Sequence, residues 1–181
     1  MAYFFIVGGI ILRLVPHLPN FAPIAAMALF GGVYLNKKYA LGVPLLALLI
    51  SDFFIGFYDI GVMISVYSSF FVIGLLGLWL KTHKTWPGIL GISLLASILF
   101  FIVTNFAVWA VPQSLYPHTW QGLTQSYIMG LPFFRNTLLG DLFYVGTMFG
   151  LMEAVLRITS RWRLQKEGNV IRISRVHGKR V

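Results

Sequence analysis

A chain of 181 residues that is 58% hydrophobic and only 10% charged lies far from the roughly 45–50% apolar, 25% charged norm of soluble domains, and reads as an all-α integral membrane protein. It contains no cysteine, which removes disulfides, thiolate catalysis and cysteine metal sites together. The formal charge of +9 would suit a nucleic-acid binder if the chain were soluble, but its distribution follows membrane topology and no nucleic-acid partner is expected.

Hydropathy and breakers predict a bundle of about six transmembrane helices, near residues 1–15, 21–36, 39–58, 62–81, 88–111 and 137–157. None alternates with the period of two expected of barrel strands. Together they form a transmembrane domain over 1–157. A basic tail over 158–181, interrupted by Gly168 and Gly178, is expected to be solvated and to rest against anionic lipid head groups.

The first run, MAYFFIVGGII, lacks the basic start and clean cleavage site of a signal peptide and is read as a helix. It ends in "RLVPHLPNFAP" (13–23), where Arg13, His17, Asn20 and three prolines interrupt the apolar sequence. On the second span Ala25, Ala28 and Gly32 make a smooth face suited to packing within the bundle or to docking a partner helix. On the third, Asp52, Gly56 and Asp59 stand at i, i+4 and i+7, one helical face. Ser93, Ser97 and Thr104 form a stripe on the fifth, read as helix contacts.

The connection 112–136 is long, and Trp120, Leu123, Tyr127, Ile128 and Leu131 recur in it with helical spacing. This predicts a short amphipathic helix in the interface, serving as a lid or as an aromatic anchor. In the sixth span Asp141, Tyr144 and Met148 share a face, with Gly146 and Gly150 forming a small-residue pair.

With the amino terminus inside, twelve of the fourteen cations lie on the inner side: Lys37, Lys38, Lys81, Lys84 and the eight from Arg157 onward. That asymmetry predicts cytoplasmic termini and a multi-pass protein of the plasma (inner) membrane. Arg13 and Arg135 fall outside, as do His17, Asn20, Asp52, Asp59, Asn105, His118, Asn136 and Asp141. Ionisable groups at membrane depth turn toward the bundle interior, a partner or water, so this clustering predicts an outward-facing polar cavity. Arg13 and Arg135 are the natural counter-charges for Asp52 and Asp141. The same residues would alternatively serve as interhelical ion pairs that fix packing.

No G-x-x-x-x-G-K-[ST], G-x-S-x-G or H-E-x-x-H occurs, so the sequence offers no P-loop with which to energise transport and no familiar hydrolase motif. His17 and His118 lack the spacing that makes a metal site specific, and no metal or cofactor is expected. An intramembrane enzyme acting on a lipid-linked or head-group substrate, with His17 or His118 as general base, is the alternative to a binding protein.

Five blocks carry a resemblance: RLVPHLPNFAPIAAMALFGG (13–32), PLLALLISDFFIGF (44–57), TNFAVWA (104–110), YPHTWQGL (116–123) and LPFFRNTLLGDLFY (131–144). They resemble a family of small, uncharacterised integral membrane proteins described as transport proteins, across nearly the whole chain except its tail. That family more loosely resembles the substrate-capture S components of energy-coupling-factor transporters. The resemblance implies six helices, inward termini and an outer pocket for a small water-soluble organic compound. It further implies a transmembrane coupling subunit, driven by separate ATPases, docked on Ala25, Ala28 and Gly32. The 13–20 connection and the 112–136 loop would close over ligand, with Asp52, Asp59, Asn105, His118, Arg135, Asn136, Asp141 and Tyr144 as further candidate binding residues. Cobalt and nickel S components carry a histidine immediately after the initiator methionine; Ala2 stands there, which argues against a metal-ion substrate.

Overall fold

A computed structural model describes residues 2–16 and 18–177, with side chains through 163. It is all-α, with six helices among the described residues: α1 (Ala2–Leu14), α2 (Ile24–Tyr34), α3 (Gly42–Ile55), α4 (Ile60–Leu80), α5 (Trp86–Ala110) and α6 (Trp120–His177). Residues Met1–Met148 form one compact unit; Phe149–Val181 form a second, of which the described part is the remainder of α6.

Local chemistry sets the boundaries. Pro16 ends α1, because proline pushes its predecessor out of helical geometry. In the following connection Asn20 takes φ 62°, a left-handed conformation that asparagine tolerates better than most residues. Gly56, at φ 111°, ends α3 while its N–H still bonds the Asp52 carbonyl. Asp59 Oδ1 then accepts from Gly61 N at 2.8 Å and Val62 N at 3.1 Å, capping α4. Thr85 caps α5 through Gly88 N, and Pro87 sits in its first turn, where a missing N–H is harmless.

α2 is the centre of the first unit. Every residue from Ile24 to Val33 is buried, as expected of a helix that is apolar on all sides. It packs closely on α4: a Cβ on Gly32 would lie 2.6 Å from Gly74 O and from Gly77 Cα, and one on Gly77 would lie 2.5 Å from Leu29 O. Only glycines allow the two backbones to come this near.

The exterior has the reverse character of a soluble protein. Phe4, Phe53, Phe54, Ile64 and Ile98 are all exposed, and only 28–39% of the most apolar windows of α4, α5 and α6 is buried. A surface this apolar is matched by lipid. Three helices are long and apolar enough to cross a membrane: α4, α5 and the Trp120–Arg163 part of α6. The other three have 13, 11 and 14 residues, or about 17–21 Å of helix against a hydrocarbon core of ~30 Å. The expectation of six full spans therefore narrows to three of that length plus three shorter apolar helices.

Other expectations change too. The third span does not run to 58, because Gly56 breaks it. The interfacial helix and the sixth span are one continuous helix with Pro132 inside it. Beyond Arg157 the backbone stays helical through Gly168, one of the two glycines expected to interrupt the basic tail, to His177. Gly146 has nothing within 4 Å of where a Cβ would stand, so it makes no close small-residue contact.

The two ends of the first unit differ in charge. Lys81 Nζ donates to Leu35 O at 2.7 Å, and the Lys84 ammonium sits 4.9 Å from the Tyr34 ring centroid. The α2–α3 and α4–α5 connections, with Lys37 and Lys38, thus share one end. The connections 15–23, 56–59 and 111–119 belong to the other.

Candidate functional site

A cavity of about 460 Å³ opens among α1, α2, α4, α5 and the first half of α6. Its position follows from helix register. Phe70, Phe100 and Asp141 line its deep end, near mid-helix, whereas Asn20, Tyr58 and Tyr116 line it from the three connections at the end away from the lysines. From Phe100 to Val108 the α5 wall rises about 12 Å.

The wall at α1 is ionic. Arg13, in the last turn of α1, pairs with Asp52 at 2.7 Å between Nη2 and Oδ1; the arginine side chain is 15% exposed and the aspartate 1%. Arg13 Nη1 also donates to Ser51 Oγ and, at 3.4 Å, to the Leu48 carbonyl. Tyr67 donates its phenol to Asp52 Oδ2 at 2.8 Å. Arg13 borders the cavity, while Asp52 stands behind it. Tyr58 joins from the α3–α4 connection. Burial pushes its phenol up to about 12, the nearby Asp52 carboxylate adding to the shift and Arg13 opposing it, so it is a neutral hydroxyl at physiological pH.

Asp141 occupies the opposite wall. It is 3% exposed and its Oδ2 accepts from Ser97 Oγ at 2.6 Å; among the described residues it has no cation partner. Aromatic rings line the same cavity: Phe70 and Phe100 stack at 5.1 Å, and Phe101 meets Phe134 at 4.7 Å. Toward the mouth, Thr104, Asn105 and Ser126 add polar groups. Asn105 is held by its Nδ2 bond to Phe101 O at 2.8 Å, with Gly130 against its carboxamide.

Of the candidate residues, Arg13, Asn20, Asn105 and Asp141 border one cavity, with Asp52 directly behind. The rest are elsewhere. Asp59 is an exposed helix cap and does not share a face with Asp52. Arg135 is exposed and is not the counter-charge of Asp141. His118 is exposed, its Nε2 3.2 Å from Val111 O and its ring edge-on to Trp109. Asn136 instead ties α6 to the α1–α2 connection through Nδ2 to Pro19 O at 3.0 Å. Tyr144 is buried against Phe21, outside the cavity lining. His17 lies outside the described residues.

The small-residue face of α2 is also reassigned. Ala28 and Gly32 are buried, with Gly32 against α4, and Ala25 borders the cavity; none is available to an outside partner. In the serine and threonine stripe, Ser97 holds Asp141, Thr104 lines the cavity, and buried Ser93 Oγ finds no hydrogen-bond partner among the described residues. Tyr67 and Ser51 had no signal in the sequence beyond being polar tips in apolar helices. Among the described residues no group of three or more histidine, aspartate or glutamate side chains could hold a metal ion.

No curated protein and no solved structure matches the chain. A family model does match, over residues 1–164, which include every residue that lines the cavity. The chain belongs to that family, a family of unknown function (DUF6580).

Proposed function

We propose that this is a substrate-capture component of a membrane transport system, taking a small water-soluble organic compound from the outer side. The observation that carries this reading is the 460 Å³ cavity inside the bundle, lined by both apolar rings and buried polar groups. Small-molecule sites have ~300–1,000 Å³ and a few fixed polar groups on a mostly apolar wall. The cavity mouth lies at the end away from Lys37, Lys38, Lys81 and Lys84; by the positive-inside rule that end faces out, with the amino terminus in the cytoplasm.

The S-component resemblance supports capture but loses its docking face, since Ala28 and Gly32 are used within the bundle. A coupling subunit with separate ATPases would have to grip another surface. The enzyme reading has less support, because exposed His118 is turned to the Val111 carbonyl and does not border the cavity.

Native mass spectrometry of the full chain in mild detergent tests capture. The expected result is a small-molecule adduct on the native protein that falls at least tenfold in occupancy in Asp141→Asn, with both proteins eluting alike in size-exclusion chromatography. Equal occupancy in the two would count against the site, and lipid or detergent as the sole adduct would count against capture.

A further inference from the structure

Resting on the capture reading, we infer a substrate class for the cavity: a small organic cation, an amine or ammonium, whose charged head sits at Asp141 and whose apolar body lies along the phenylalanines. Two features of the walls lead there. The positive charge of Arg13 is already matched at 2.7 Å by Asp52, which in turn takes the Tyr67 hydroxyl. Asp141 borders the same cavity with a neutral hydroxyl, Ser97 Oγ, as its partner. Among the described residues, the cavity and its immediate backing thus hold two carboxyl groups and one guanidinium, so the complementary guest brings a cation or a strong donor.

Aromatic geometry points the same way. The rings of Phe70 and Phe100, stacked on each other, line the deep end, and aromatic rings attract cations, the more so away from water. A carboxylate in that place would instead meet the Asp141 carboxyl among apolar rings, with no cation free to pair with it among the described residues lining the cavity. Arg13 offers an anion less than a lone arginine would, because an incoming acid would have to displace Asp52 and leave it buried without its cation.

The absence of cysteine makes a clean test possible in the full chain, reconstituted in lipid. Thr104→Cys sets a thiol on the cavity wall, and Gln113→Cys sets one at an exposed position as reference. Each is labelled at mildly alkaline pH, which favours the reactive thiolate, with a cationic and an anionic methanethiosulfonate of similar size. The ratio of cationic to anionic rates should be at least fivefold higher at position 104 than at 113. Adding Asp141→Asn should bring it back to the reference ratio. Millimolar 2-phenylethylamine should slow cationic labelling of Thr104→Cys at least threefold, and 3-phenylpropionate should not. A preference for the anionic reagent, better protection by the acid, no protection by the amine, or a ratio unmoved by Asp141→Asn would each overturn the cation assignment while leaving capture standing. No labelling at 104 by either reagent would overturn the capture reading itself.

Discussion

Arg13 and Asp52 form a nearly desolvated ion pair, and its energetics follow from burial rather than from attraction alone. With Asp52 1% exposed, removing the guanidinium leaves a buried carboxyl without its cation, a loss of about 3–5 kcal/mol. Arg13→Ala should therefore destabilise strongly, whereas Arg13→Met with Asp52→Leu should recover most of the loss. A double-mutant cycle on reversible unfolding in mixed micelles measures this, and additive effects would refute it. The pairing was legible in sequence only as opposite charges on the same side of the first and third apolar runs. Asp59 was misplaced because extending the helix through Gly56 ignored glycine's freedom to take a positive φ, which ends α3 and turns Asp59 into a cap. Arg135 could have been set aside from spacing: six residues from Asp141 on one helix is about 240° around the axis. Tyr67 and Ser51 stayed hidden, since nothing in an apolar helix announces which polar tip meets a buried charge on another helix.

At the level of elements, α2 and α4 depend on glycine. Even alanine at Gly77 would bring its Cβ within 2.5 Å of the Leu29 carbonyl oxygen of α2, and at Gly32 the obstacle is α4 backbone; neither can swing aside as a side chain does. Gly32→Val or Gly77→Val should separate the helices and lower the yield of folded protein several-fold. Gly146→Ala, which meets open space, should be neutral or stabilise by up to about 1 kcal/mol through helix propensity. Thermal unfolding with size-exclusion profiles distinguishes them, and indistinguishable variants would remove the close-packing account. Sequence reading found the smooth face of α2 but not its partner, because a small-residue stripe is equally suited to a neighbour in the same chain and to another protein. It also found the helical spacing of 120–131 while starting the sixth span separately at 137, beyond Pro132. Proline removes one hydrogen bond but does not end a helix that neighbours support. Here Tyr127 Oη donates to Ile102 O at 2.9 Å and Ser126 Oγ to Asn105 O at 3.3 Å, holding the segment against α5.

Across the first unit, many large apolar residues face outward while Arg13, Asn105 and Asp141 border an internal cavity that reaches the connections at one end. The lysine-bearing connections gather at the opposite end, which ties the direction of the cavity to the direction of insertion. That link is the centre of the account, and membrane-sided labelling tests it most directly. In sealed vesicles of known orientation, a membrane-impermeant thiol reagent should modify Thr104→Cys and Gln113→Cys from the outer side and Lys38→Cys from the inner side alone. Modification of Thr104→Cys from the same side as Lys38→Cys, or from neither, would contradict it.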